Sequence, residues 1–354
     1  MMTGKTFANL SRRWSLFWGL LLLFVLLVCA VFSDFMTPYD PTTQNRELYL
    51  APPSSLHFTD TEGFRHWVPF VYALQLVDRE RMLYVEERSV IYPIRFLVPG
   101  EPYRLFGLFP CRTHLFGVDG PARIFILGSD GLGRDVFSRI VHGARLSLAV
   151  AGVALLIAIP LALVVGSVSG YYGGPFDFTC MRVIELFLAL PALYLIIALR
   201  SALPLSLAPE QVLFAMVIVI ALFGWASMAR IVRGAVLSLR EREFILAAIA
   251  LGASDPRVIF RHIWPNLTAI ILTQAALSVP GFILAEVTLS YLGLGVPEPL
   301  PSWGSMLASV GSVQQLGSFW WNLAPGAAIF ITSLAFYLLA EGLSDLADPH
   351  SQIL

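Results

Sequence analysis

Few side chains in this sequence could do chemistry, and they are widely spaced. GSDGLGRD (Gly128–Asp135) brings Asp130, Arg134 and Asp135 together around Gly131 and Gly133. Glycine admits positive φ, so a tight turn here can gather the three charges into a fixed ion-pair cluster. The cluster either braces the turn or frames a polar mouth. Glu286 is the second candidate, inside an apolar stretch just after Pro280-Gly281, a dipeptide that favours a kink. An ionisable side chain at the centre of a span costs about 2.5–3.5 kcal/mol and usually faces a cavity or a partner. Glu286 therefore either lines a solute path, attracting an amino terminus, or pairs structurally near an interface. Arg182 and Glu185 stand at i,i+3, the spacing of a local helical ion pair.

Catalytic signatures are missing from the sequence. No G-x-x-x-x-G-K-[ST] loop is present, and GSVSGYYGG (Gly166–Gly174) lacks the lysine that would reach a phosphate. That segment reads as a span end followed by a flexible turn. Neither H-E-x-x-H nor G-x-S-x-G occurs. Cys29, Cys111 and Cys180 have neither the spacing of a zinc site nor that of a disulfide framework. The reading is a non-enzymatic chain with no catalytic residues, no metal ligands and no cofactor of its own.

The elements that must position these residues are set by hydropathy. The chain is 57% hydrophobic and 13% charged, against about 45–50% and about 25% in soluble domains. Lipid must be the solvent for much of it. A net charge of −1 gives no reason to expect nucleic acid. Six apolar runs are long enough to span about 30 Å of hydrocarbon as helices: 15–32, 146–170, 178–199, 212–232, 269–292 and 323–343. The first follows Lys5, Arg12 and Arg13 and is too long for an ordinary signal-peptide core, so it reads as an uncleaved span. The positive-inside rule puts the N-terminus in the cytoplasm, and six spans return the C-terminus there. Arg230, Arg233, Arg240, Arg242, Arg257 and Arg261 crowd the connection between the fourth and fifth spans, marking it cytoplasmic. Trp303, Trp320 and Trp321 suit a membrane interface. Between the first and second spans, Arg81–Gly100 alternates and is β-branched. Tyr103–Phe109 follows a Pro-Gly break, so short strands and a hairpin are expected there. The fold class is thus an all-α membrane protein of about six transmembrane helices with an inserted extracytoplasmic β-rich module after the first span.

The most specific segment is EREFILAAIALGASDPRVIFRHIWPN (Glu241–Asn266). Phe244–Leu251 predicts a short helix, and Gly252 a stop with a sharp turn. Ser254 or Asp255 then caps a second helix with Pro256 at its start. Val258, Ile259 and Ile263 form an apolar stripe, with Arg257 and Arg261 opposite, and Pro265 ends the helix before the next span. The result is an elbow on the cytoplasmic face. It either docks in a groove of another protein or lies on the surface without a partner.

This segment resembles the EAA loop of ABC-importer permeases, E-A-A-x3-G-x9-I-x-L-P. Ala247, Ala248, Gly252 and Pro265 match, whereas Leu246, His262 and Trp264 replace the family's Glu, Ile and Leu. The wording is most similar to the C-type permeases of dipeptide and oligopeptide importers. Ile126–Leu148 and Glu286–Leu307 resemble the same subgroup. So do Pro52, Pro53, Ser54 and His57, which the subgroup carries directly before its G-[TS]-D-x-x-G-R-D motif. Here Gly128 comes some 70 residues later, so 58–123 looks like an insertion.

The resemblance implies a permease subunit of an ATP-driven importer, carrying peptides or similar small solutes across the inner membrane. It implies as partners a second, B-type permease, two ABC ATPase subunits that bind ATP and Mg, and an extracytoplasmic solute-binding protein. Phe244, Ala247, Ala248, Gly252, Asp255, Ile259 and Pro265 would form the ATPase-coupling loop. The missing Glu removes a carboxylate contact but not docking by shape. Asp130, Gly133, Arg134 and Asp135 would frame the external mouth. The organisation expected is a cytoplasmic 1–14, a first span at 15–33, an extracytoplasmic 34–142, a five-span core at 143–344 with its coupling loop at 236–266, and a cytoplasmic tail at 345–354. The alternatives are import of nickel or another non-peptide solute by the same kind of complex, and a stand-alone secondary transporter. The latter would show inverted repeats, and none is visible. A membrane sensor or enzyme acting through 58–123 would need a nucleophile–base pair that the insert does not offer.

Overall fold

The computed structural model describes residues 3–191, 194, 197–198, 204, 208–310 and 317–347. Apolar runs become long helices, as a low-dielectric solvent requires when every backbone polar group must be paired internally. In chain order these are α1 (Thr3–Val31), the short α2 (Ser33–Met36), α3 (Val136–Tyr172), α4 (Gly174–Ala189), α5 (Pro209–Arg240), α6 (Glu243–Ala250), α7 (Asp255–Arg257), α8 (Trp264–Tyr291), α9 (Trp303–Ala308) and α10 (Ala324–Ala347). A π-helical turn, Val258–Ile263, joins α7 to α8, and a 3-10 turn, Trp320–Leu323, leads into α10. Among the described residues, five helical stretches are long and apolar enough to cross a membrane: Trp14–Val31, Val136–Tyr172, Gln211–Arg240, Asp255–Tyr291 and Trp320–Asp345. The span expected at 178–199 is helical as far as Ala189, and part of the remainder lies outside the described residues.

α3 starts ten residues before its apolar run, at Val136 rather than near Leu146. Its first turns carry Arg139, His142 and Arg145, which hydropathy reads as loop. Two of them meet a distant carboxylate: Asp34 on α2 lies 3.2 Å from His142 Nε2 and 3.4 Å from Arg145. The hydrogen bond from His142 is the main reason the Asp34 carboxyl is held below the usual carboxylate range, with Arg145 adding to it.

The chain divides into two units, one of residues 1–24, 149–289 and 331–354, the other of 25–148 and 290–330. In the first, glycines let helix backbones meet. A Cβ on Gly166 would lie 2.6 Å from the Ala229 carbonyl oxygen, and one on Gly170 would lie 2.9 Å from that of Arg233. Small residues four apart are the usual means of such close approach between spans. The stretch expected to be a span end followed by a turn is helix through Tyr172, and Gly173 and Gly174, with φ of 68° and 65°, make the turn. Asp177 on α4 accepts from Arg233 Nε at 2.6 Å and from Ser169 Oγ at 2.9 Å, tying α3, α4 and α5 together. Arg182 and Glu185 form the expected pair at 2.7 Å, largely exposed.

The second unit holds two small antiparallel sheets. One has the order β1 (His57–Thr59), β2 (Arg65–Asp78), β3 (Leu83–Pro93), and the other pairs β4 (Arg95–Leu105) with β5 (Phe109–Gly117). The Pro99-Gly100 pair does not end a strand. It lies inside β4, where the register slips between Pro99 and Tyr103. Pro99 and Pro102 offer no N–H to the ladder, and a bulge absorbs the gap. Tyr103–Phe109 is accordingly the end of β4 and its turn, not a strand of its own. Val71, Ile94, Phe116 and Ile124 form a core with Tyr39 and Phe137 packed against it. The stretches flanking 58–123 are bonded to each other. Ser54 N–H donates to Phe125 O at 2.8 Å, Phe125 N–H to Ser54 Oγ at 2.9 Å, and Ser129 N–H to Ala51 O at 2.9 Å. Trp303 and Trp321 are buried, their indole N–H groups donating to Ile140 O and Ser129 O, so of the three tryptophans expected at an interface only Trp320 is exposed.

Candidate functional site

The elbow at 241–266 is built from local rules. α6 closes on a Schellman motif: Ala253 N–H bonds Ala248 O at 3.0 Å and Gly252 N–H bonds Ile249 O at 2.9 Å. Gly252 sits at φ +85°, which only glycine adopts without strain. Ser254 holds the N-cap position of α7 through its backbone alone, and the Asp255 carboxylate instead accepts from Tyr171 OH at 2.9 Å.

Pro265 does not end the second helix. Asp255 to Tyr291 is one continuous helical stretch, and Pro265 stands in the first turn of α8. The π turn just before it explains this. Trp264 N–H bonds Ile259 O, five residues back, and the wider turn leaves room where a proline ring would strike an α-helical carbonyl.

The elbow has two faces. Ile245, Val258, Ile259 and Ile263 are buried in one cluster with Val232 and Val236 of α5 and Leu267 of α8, with Leu163 and Tyr171 of α3 packed against it. Ile245 is 0% exposed, the only buried side chain of α6. The other face presents Phe244, Leu246, Ile249, Phe260 and Leu251 to the outside, Leu251 at 89% exposure. Ala247, Asp255 and Pro265 are also exposed, and Ala248 is half-buried. The expected coupling residues therefore divide: Ile259 anchors, and Phe244, Ala247, Asp255 and Pro265 lie at the surface around the Gly252 turn.

The turn at 128–135 gathers a different set of charges from the expected one. Asp130 Oδ1 accepts the N–H groups of Leu132 and Arg134 at 2.8 and 3.0 Å. Its Oδ2 pairs with Arg134 Nε at 2.7 Å and lies 3.5 Å from Arg139 Nε. Arg134 also reaches Glu298 at 2.7 Å, and Arg139 reaches it at 3.4 Å. Gly133, at φ +72°, has no room for a side chain, because a Cβ would overlap the Asn45 carbonyl. Asp135 is not in the ion-pair cluster. It caps α3, accepting from Ser138 N–H at 2.9 Å and Ser138 Oγ at 2.5 Å. Complete burial pushes its pKa up to about 6. The cap wins because Asp135 immediately precedes the first helical residue, where a carboxylate satisfies orphan N–H groups.

Arg139 and Glu298 were not legible as members of the site. Arg139 sits four residues past Asp135, a helical spacing that is visible only once α3 is known to start at Val136. Glu298 lies 164 residues from Arg134, and no local pattern joins them. Glu286 is fully buried in α8, which runs through Pro280 without ending.

The span-length apolar helices and the elbow packed on them define a multi-pass membrane protein with an apolar surface element. The chain belongs to the family of binding-protein-dependent transport system inner membrane components, whose model matches residues 146–352. Residues 3–53 match the N-terminal transmembrane domain of oligopeptide transport permease C. Among curated relatives, the oligopeptide transport system permease protein OppC of Bacillus subtilis is 41% identical over 67% of this chain and 76% of its own length. The dipeptide transport system permease protein DppC of the same species is also 41% identical, over 63% of this chain and 68% of its own. OppC of Haemophilus influenzae is 37% identical over 63% and 69%.

Proposed function

We propose that this chain is the C-type permease subunit of an ATP-driven importer, forming part of the path by which peptides or similar small solutes cross the inner membrane. The observation that carries this is the elbow. Apolar side chains stand exposed around a glycine turn while the opposite face is locked into the span bundle. Such a surface suits insertion into a groove of a separate ATPase subunit, and the names of the relatives agree with peptides as cargo. ATP and Mg bind in two such partners, and closure of the ATPase pair moves the elbow and the spans packed on it. A second, B-type permease completes the path, and an extracytoplasmic binding protein delivers cargo. Both termini are cytoplasmic, with six spans, the third being the run at 178–199. Residues 58–123 form an extracytoplasmic insertion; the hydrogen bonds between Ser54 and Phe125 support this by closing the rest of the loop beneath it. The Asp130–Arg134–Arg139–Glu298 cluster, with Gly133, shapes the external mouth, and Asp135 supports it as the α3 cap. Glu286 reaches the path only if the helices around it part.

The test is uptake of a labelled oligopeptide by cells that depend on this chain, comparing it with Leu251→Asp. The expected result is full membrane insertion and loss of ATP-dependent uptake, because the charge spoils the exposed face without touching the buried one. Undiminished uptake would sink the coupling reading. Uptake that survives ATP depletion but is abolished by a protonophore would point to a secondary transporter.

A further inference from the structure

We infer that the tip of the β4–β5 hairpin inserts into the lipid interface beside the end of α1, giving the chain a second, non-helical membrane contact. The apolar stretch of α1, Trp14–Val31, is 18 residues long, about 27 Å at 1.5 Å per residue. That nearly equals the hydrocarbon thickness. Phe32, the next residue, thus marks the level at which the chain leaves the bilayer.

The hairpin tip is at that level. The Phe106 ring packs edge-on against Phe32 with centroids 5.7 Å apart. α2, immediately after the span, packs on both β4 and β5. His114 of β5 is bonded through Nδ1 to Thr37 O at 2.6 Å, just past α2. The hairpin is therefore fixed to the exit of α1 and is not free to swing.

What the tip presents is lipid-like. Leu105↔Phe109 is the last register pair, and Phe106, Leu108 and Phe109 are all exposed, Leu108 at 75%. Phe106 holds φ +54°, a conformation that bulky residues rarely adopt. Arg104 and Arg112, one or a few residues behind the tip, are exposed as well. An apolar tip with arginines behind it is the pattern of an interfacial element, the side chains buried in the acyl boundary and the guanidinium groups at headgroup level. The occupant is the bilayer because the surface is continuous with the lipid-facing end of a span. The contact needs only the membrane insertion of α1, not the identity of any cargo.

The test uses the full chain with Cys29→Ser, Cys111→Ser and Cys180→Ser, carrying a single Leu108→Cys labelled with the fluorophore NBD. Size-exclusion chromatography in detergent checks that it folds. The control is Asp119→Cys, close to the far end of the hairpin. The eight-residue step from Phe109 to Gly117 along β5, the strand without the bulge, puts that end about 26 Å away. Both are reconstituted in phosphatidylcholine/phosphatidylglycerol vesicles. The expected result is a blue-shifted NBD emission at 108 that phospholipids nitroxide-labelled near the headgroup largely quench. The label at 119 should be quenched by aqueous iodide and not by lipid. Three outcomes overturn the inference: iodide quenching without lipid quenching at 108, which leaves the tip in water; protection from both quenchers, which means protein covers it; and equal lipid quenching at 108 and 119, which means the whole sheet lies flat on the membrane.

Discussion

Ile245→Ala tests how the elbow is held. Ile245 is fully buried, and it is the one side chain by which α6 enters the cluster of Val232, Val236, Val258, Ile259, Ile263 and Leu267. Truncating a buried Ile to Ala costs about 2–5 kcal/mol. α6 has eight residues, well below the roughly 12–15 at which an isolated helix becomes even marginal in water. It therefore has no stability of its own to offset the loss. Even the low end, about 2 kcal/mol, raises the open population of α6 about 30-fold at 1.4 kcal/mol per factor of ten. The assay is hydrogen–deuterium exchange of the chain in nanodiscs. Amides of Leu251, Gly252 and Ala253, bonded only to α6 carbonyls, should exchange faster by about that factor, while those of α8 stay protected. Leu251→Ala, at a site 89% exposed, should leave exchange unchanged. Unaltered protection in Ile245→Ala would refute the argument that one buried side chain fastens the elbow to the spans. In the uptake assay the two positions should fail differently: Ile245→Ala keeps the docking face and loses transmission, and Leu251→Asp keeps the anchor and loses docking.

Gly166→Ala should destabilise the helical unit by about 1–3 kcal/mol, the usual cost of overpacking, because its Cβ would press on the Ala229 carbonyl; Gly152→Ala on the same helix, where a Cβ meets nothing within 4 Å, should be neutral in a thermal scan in detergent. Asp130→Asn should cost about 3–5 kcal/mol, since it leaves Arg134 and Arg139 buried with Glu298, itself half exposed, as their remaining carboxylate; Glu298→Gln should cost less in the same scan. Asp135→Asn should instead stabilise the chain above pH 6 and lose its advantage in acid. The Asp135 pKa is raised from 3.8 to about 6, so its contribution is whole below pH 3.8 and is lost as pH rises through about 6. The ceiling of that loss is about 3 kcal/mol, and Asn keeps an oxygen for the Ser138 cap. A variant no more stable than the parent at pH 8 would refute the burial argument.

The parts legible in the sequence are those written locally. The Gly252 turn could be read because a helix stop followed by a Ser-Asp-Pro start leaves the chain few other conformations, and the structure closes it with a Schellman motif. Apolar runs gave five of the six expected spans among the described residues, because lipid rewards length and hydropathy alone. Where a proline or a charge meets a tertiary contact, local reading failed. Pro265 looked like a stop, but a π turn carries the helix past it. Pro99-Gly100 looked like a break, but a bulge keeps β4 in its ladder. Arg139 and His142 looked like loop, but they occupy the first turns of α3 because Asp130, Glu298 and Asp34 stand opposite them. Asp135 was grouped with its charged neighbours because spacing shows proximity and not direction, and the start of α3 turned it into a cap.

The continuity past Pro265 changes what the elbow can do. Had the helix ended there, a push on Ile259 would be absorbed in a hinge before reaching the span. As built, Ile259 and Glu286 lie on one uninterrupted helical stretch. The 27-residue step from one to the other corresponds to about 40 Å at 1.5 Å per residue. The π turn is its softest point, because a five-residue bonding step is a local distortion of the ladder. Yet Val258, Ile259 and Ile263 of that turn are buried against α5 and α6. The soft point is clamped on both sides by the same cluster that holds Ile245. On the proposed coupling role, force arriving at the exposed face is delivered to α5 and α8 together, and the buried cluster, rather than the exposed apolar surface, then decides whether docking becomes movement of the spans.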